Sequence, residues 1–285
     1  MRPNAFSYSR PATVAQILAV MQLGAVPLAG GQSLLPAMRL RQAAPPGLVD
    51  LAAATDLSAI IDFTPATVTF GARVTHAQCT VDSRLQAEFP WLAQAANALG
   101  DVQIRNRGTV VGNVCWADPR ANFAVAMLAS GARVHCRSPS APNEAQVFAI
   151  DDFFTGFRQH VASGQLITQL EIPRVKGRRG SYREFSRQRQ DLALVNVCVV
   201  LGANYARVVV GGIHRTPLRI PALEAALSTG IPDTVELTSQ IARALDALAL
   251  HPVEDPYGSP SFKLALAKVE LRRVLETLRG AGAHA

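Results

Sequence analysis

Between Ala25 and Leu40 an apolar strand, Ala25–Ala29, runs directly into Gly30-Gly31-Gln32-Ser33 and then into a short apolar helix, Leu34 to Leu40. A turn this tight leaves successive backbone N–H groups at a helix start, where the helix dipole favours an anion such as a phosphate. Glycines there let a ligand approach the backbone closely. The spacing is neither G-x-G-x-x-G nor a loop ending in G-K-[S/T], which excludes a Rossmann or Walker site. Taken alone, the segment also reads as a plain strand-to-helix turn. A second glycine loop, Gly108-Thr109-Val110-Val111-Gly112-Asn113, adds a hydroxyl and an amide able to bond phosphate or ribose. Behind it, Asp118 and Asn122 stand just ahead of a helical pattern, where they serve either sugar hydroxyls or helix capping. Two such turns in one chain suit a pyrophosphate gripped from both sides, as in a dinucleotide.

The chain has 285 residues, enough for about two domains, and at 49% apolar and 17% charged residues its composition is globular. No apolar run reaches the ~20 residues of a membrane helix. The N-terminus lacks the pattern of a secretory signal, so a cytoplasmic location is expected. Cys79, Cys115, Cys136 and Cys198 are widely spaced, and no two histidines stand at ligand spacing, so no metal site is assigned. The net charge of +7 is concentrated between Arg174 and Arg189, with Glu184 the only acid there. That stretch is expected to be a solvated interdomain segment rather than a nucleic-acid surface, because few aromatic residues interleave with it.

Apolar spacing at Val14, Ile17, Leu18 and Met21 predicts a helix stopped at Gly24. Strands are expected at Leu48–Leu51, Ala59–Phe63 and Thr67–Phe70, with Thr75 as a helix cap. One helix is expected over Leu85–Leu99, a loop over Ile104–Asn113, and a helix over Asn122–Ala129. Strands at Arg133–Cys136, Gln146–Ile150 and Leu166–Ile172 close the first domain at Pro173. Three consecutive strands follow, Tyr182–Ser186, Val195–Leu201 and Ala206–Ile213, and predict a small antiparallel sheet. Helices finish the chain, the last with Leu264, Leu271 and Leu278 on one face, capped by Ser261 and stopped by Gly280. A sheet covered by helices is an α+β arrangement.

Three segments, Ala29–Pro36, Ile104–Asn113 and Ala117-Asp118-Pro119, together resemble the FAD-binding medium subunits of molybdenum hydroxylases, the family of the carbon monoxide dehydrogenase medium subunit and the xanthine dehydrogenase FAD domain. The resemblance continues through Asp152–Gly156, Leu166-Ile167-Thr168 and Gly211-Gly212-Ile213 with Thr216-Pro217, and so covers nearly the whole chain. It implies an α+β architecture: an FAD domain of the p-cresol methylhydroxylase/vanillyl-alcohol oxidase (PCMH/VAO) type over residues 1–175, with two α/β subdomains of about 1–55 and 56–175. A smaller α/β C-terminal domain, an antiparallel sheet plus helices, is implied over 176–285.

In that resemblance Ala29, Gly30, Gly31, Gln32, Ser33 and Leu34, with Thr109, Val111, Gly112 and Asn113, hold the FAD pyrophosphate. Asp118 and Asn122 lie near ribose or ribityl hydroxyls; the family often has an aspartate where Asn122 stands. Leu166 passes the ring edge, and Tyr182 is the aromatic residue near the flavin, its alternative being a strand residue packed on the sheet. No residue is assigned a catalytic acid, base or nucleophile role. The implied function is an oxidoreductase subunit whose FAD takes electrons from the [2Fe–2S] clusters of a small partner and passes them to an external acceptor. Those clusters are fed by a molybdopterin-type molybdenum cofactor in a large partner subunit. A dimer of heterotrimers is expected. The alternatives are a free-standing FAD-dependent oxidoreductase with its own organic substrate, and a binding protein without flavin.

Overall fold

The computed structural model describes residues 2–228, 230–250 and 256–282. The first unit runs β1 (Ser7–Ser9), α1 (Val14–Gln22), β2 (Ala25–Leu28), α2 (Leu34–Arg39) and β3 (Gly47–Asp50), its strands forming a parallel sheet in the order β1-β3-β2. Val14, Ile17, Leu18 and Met21 are all buried, so the expected stripe is the packed face of α1. Gly24 follows with a φ of +88°, a turn that glycine makes without strain.

The second unit contains β4 (Ile61–Phe63), β5 (Thr67–Gly71), six short helices and strands β6 to β10. The helices are α3 (His76–Val81), α4 (Ser83–Glu88), α5 (Pro90–Ala98), α6 (Val102–Arg107), α7 (Val110–Trp116) and α8 (Asn122–Ser130). The strands are β6 (Arg133–Ser138), β7 (Ala141–Ala149), the hairpin β8 (Phe154–Gly156) and β9 (Gln159–His160), and β10 (Leu166–Pro173). The antiparallel sheet has the order β4-β5-β10-β6-β7. Thr75 caps α3 as expected, in a reciprocal capping box with Gln78. The single helix expected over Leu85–Leu99 is two, because Pro90 has no N–H to continue α4 and instead starts α5. The loop expected over Ile104–Asn113 is mostly helical. Asp101 caps α6 by accepting the Ile104 N–H at 2.8 Å, and Thr109 caps α7 by accepting that of Gly112 at 3.1 Å.

The third unit is the antiparallel sheet β11 (Arg179–Phe185), β12 (Val195–Gly202), β13 (Tyr205–Gly211) and β14 (Leu218–Arg219), with α9 (Pro221–Leu227), α10 (Thr234–Asp246) and α11 (Pro260–Gly282). Both faces of β12 are covered. Val195, Val197, Val199 and Leu201 pack with α9, α10 and α11, while Cys198 and Val200 join the core built by α5 and α8. Helix α11 begins one residue before Ser261, with Ser259 Oγ accepting the Phe262 N–H, and it continues through Gly280 rather than stopping there. The basic stretch is not a solvated linker. Arg174 forms a fork on Glu88 at 2.7 and 2.8 Å, Arg178 stacks on Tyr205, Arg179 donates to the Leu278 carbonyl, and Arg183 pairs with Glu270. Arg174 closes back on α4 of the second unit, while Arg178, Arg179 and Arg183 tie the start of the third unit to β13 and α11. Among the described residues, no helix is long and apolar enough to cross a membrane.

Candidate functional site

A cleft of about 810 Å³ opens where the three units meet, within the size range of cofactor sites. Its floor is the pair of glycine turns. Gly30 lies directly against the Arg107 carbonyl and the Gly108 Cα, so closely that a Cβ at position 30 has no room. The turns predicted separately from sequence are therefore one joined surface. Gly31 has a φ of +75°, which turns the chain into α2. The N–H groups of Gly31, Gln32, Ser33 and Leu34 find no acceptor among the described residues. Gly31, Ser33 and Leu34 are half-buried and Gln32 exposed, so these donors stand open to the cleft, where an anionic group of a ligand fits them.

Thirteen of the predicted residues line the cleft: Ala29 to Leu34, Thr109, Val111, Gly112, Asn113, Asp118, Asn122 and Leu166. Several are also engaged within the protein. Asn113 Oδ1 accepts the Phe123 N–H at 2.9 Å and so ties the start of α8 to the middle of α7. Asp118, almost wholly buried, is no helix cap; it accepts from Arg120 at 3.0 Å and from Arg158 at 3.4 Å. Arg158 in turn lies over the Trp116 ring, which fixes it at the cleft wall. Asn122 Nδ2 donates to the Ala95 carbonyl and to Glu184 Oε2, at 3.1 and 2.8 Å.

Tyr182 does not reach the cleft lining. On β11 it points into the core among α5, α8 and β12, where its backbone N–H is held by Gln94 and its hydroxyl donates to Glu184 Oε2 at 2.8 Å. Asn196 Nδ2 donates to that hydroxyl at 3.1 Å. Burial and the neighbouring carboxylate hold the phenol well above its ordinary pKa. The alternative reading of Tyr182, a strand residue packed on the sheet, is the observed one. Sequence reasoning missed Glu184, which does line the cleft, and His76, whose ring stacks on Phe123. Burial pushes the Glu184 carboxyl up to about 7 against the hydrogen bonds of Tyr182 and Asn122, and pulls His76 down to about 3, with Arg105 nearby adding to the effect. The only signal for Glu184 was its position as the lone acid in a basic run.

Residues 4–175 match the family "FAD binding domain in molybdopterin dehydrogenase" and residues 180–278 match "CO dehydrogenase flavoprotein C-terminal domain". The carbon monoxide dehydrogenase medium chain of Afipia carboxidovorans is 31% identical, with 97% of each chain covered. The nicotine 6-hydroxylase medium subunit of Paenarthrobacter nicotinovorans is 30% identical over 96% of this chain and 98% of its own. A solved carbon monoxide dehydrogenase from Hydrogenophaga pseudoflava superposes with a TM-score of 0.89 at 30% identity, covering 97% of this chain and 98% of that one. With both of its halves matched in order, and relatives aligned end to end, this chain belongs to the FAD-binding medium subunits of the molybdenum hydroxylases, a family of oxidoreductase subunits.

Proposed function

We propose that the chain is the flavoprotein of a heteromeric, cytoplasmic molybdenum hydroxylase, collecting electrons from [2Fe–2S] clusters of a small partner subunit and passing them to an external acceptor. A large partner with the molybdenum cofactor oxidises the organic substrate, and the assembly is a dimer of heterotrimers. The observation that carries this reading is the joined pair of glycine turns at the cleft floor, with four backbone donors free above it. When bound, FAD supplies the capacity to accept single electrons and release a pair.

The residues of the chain bind and orient. Ala29 to Leu34 present N–H groups to the diphosphate from one side, and Thr109, Val111, Gly112 and Asn113 border it from the other. Asp118, held in place by two arginines, accepts from sugar hydroxyls, and Asn122 does so through its Oδ1, since its Nδ2 is committed to Glu184. Leu166 supplies an apolar edge. The domain boundary lies near residue 175, between the two matched families.

The test is direct. Purified chain is expected to bind FAD with quenching of flavin fluorescence, and Gly30→Ala is expected to weaken that binding at least tenfold, about 1.4 kcal/mol or more, by prising the two turns apart. Circular dichroism identifies any general unfolding of the variant. When the chain is co-expressed with a large and a small subunit, substrate is expected to bleach the flavin only if the iron–sulfur subunit is present. Bleaching of the isolated chain by an organic substrate overturns the electron-transfer role.

A further inference from the structure

Among the described residues, Glu184 is the one carboxyl at the cleft wall that is neither paired with a cation nor fully satisfied by hydrogen bonds. Tyr182 and Asn122 both donate to Oε2, each at 2.8 Å, which uses the lone pairs of that oxygen. Oε1 takes no hydrogen bond from the described residues and is not sealed from the cleft that Glu184 lines. When the group is protonated, its hydrogen therefore sits on Oε1, toward the cleft. The position along the cleft matters as well. Asn113 stands one helical turn past Thr109 on α7 and accepts from Phe123, the neighbour of Asn122, so the Asn122–Glu184 pair is tied through the start of α8 to the helix that Thr109 caps. A dinucleotide bound in this cleft would have Glu184 in its wall.

The surroundings leave this carboxyl as the group that changes charge near neutral pH. On its own strand Tyr182 is held protonated, and Arg183 is taken by Glu270 of α11. On β12, burial pushes the Cys198 thiol far up, and Asn196 is uncharged. From α8 the Asn122 amide donates to it, and on α5 Gln94 accepts from the Tyr182 N–H. Elsewhere in the lining, His76 and His160 are kept neutral by burial. Asp118 is engaged by Arg120 and Arg158, and Asp191 by Arg187 at 3.7 Å.

Resting on the FAD reading above, we propose that Glu184 is the proton-holding residue of the cofactor cleft, and that it exchanges the proton on Oε1 with the redox-active arm of the flavin. Bound FAD would supply an electron acceptor that takes up protons as it is reduced; Glu184 would give up the proton on Oε1, keeping the bonding pair as the carboxylate, and solvent in the cleft would restore it. Tyr182 and Asn122 are positioning residues: they hold Oε2 so that only Oε1 exchanges.

Glu184→Gln keeps the shape and the acceptor for both donors but cannot titrate. In the FAD-loaded chain, the pH profile of the midpoint potential near 7 is expected to change in Glu184→Gln, down to the bend that reduced flavin gives by its own ionisation. Tyr182→Phe removes a bond that favours the carboxylate, so its bend is expected at higher pH. In the FAD-free chain, infrared titration is expected to show one protonated carboxyl near neutrality, absent from Glu184→Gln. A pH profile of the midpoint potential unchanged by Glu184→Gln, or a carboxyl band that survives the variant, overturns the proposal. A chain that takes up no FAD overturns the cofactor reading instead, and the infrared titration still decides whether Glu184 holds the proton.

Discussion

His76 shows how the cleft wall uses burial to keep a polar ring uncharged. Its Nδ1 is sealed without a partner, its ring stacks on Phe123 at 5.1 Å, and its pKa falls to about 3. The folded state therefore binds fewer protons than the unfolded chain at any pH between about 6.5 and 3. Stability from this group is present above 6.5 and is lost as the pH falls below it, by about 1.4 kcal/mol per unit. Urea unfolding from pH 7 to pH 4 is expected to show a clearly shallower acid loss in His76→Gln; equal slopes would show that another group governs it. Residues of this type were not legible in the sequence. A lone histidine after a capping threonine carries no mark of whether it is buried. The glycine turns were legible, since Gly30-Gly31 after a strand admits few conformations, whereas Tyr182 was expected beside the flavin and Glu184 was given no role. They share a strand face, and only the depth of packing against α5 and α8 decides which of them meets the cleft.

At the scale of elements, periodic signals gave way wherever caps decided the outcome. The regular stripe of α1 and the alternating strands β11 to β13 could be read because one face of each meets a core. The segment 101–116 has no stripe, and its glycines and asparagines argue for a loop, yet two side-chain caps convert it into α6 and α7. Asp101 carries the first of them alone. Asp101→Ala is expected to cost about 1 kcal/mol and to raise amide hydrogen exchange selectively over 102–107. Because Ile104 lines the cleft, FAD affinity is expected to fall as well. Unchanged exchange in α6 would mean that packing against α3, not the cap, holds the helix. The same reasoning explains why the Leu85–Leu99 pattern misled: its apolar spacing continues across Phe89, but a missing N–H at Pro90 does not.

For the whole molecule, the decisive feature is that the third sheet completes the core of the second unit. Tyr182, Cys198, Val200 and Val209 are sealed against α5 and α8, and Gly180 lies so close to the Trp91 ring that any side chain there would meet it. Across the same junction Asp151 is shared by Arg207 and Arg219, each at 2.9 Å. Two units joined by a continuous apolar core and a shared carboxylate are expected to unfold together. The distribution of tryptophans makes this measurable, because Trp91 and Trp116 both lie before β11, while the long helices α10 and α11 lie after it. Val200→Ala, a change in the third sheet, leaves a small cavity and is expected to cost about 2 kcal/mol. If the core is continuous, tryptophan fluorescence and helical circular dichroism shift by the same amount in thermal unfolding. A shift in the circular dichroism alone would show that the flavin-binding half stands without the third sheet, and the cleft would then keep its glycine floor while losing the wall that carries Glu184.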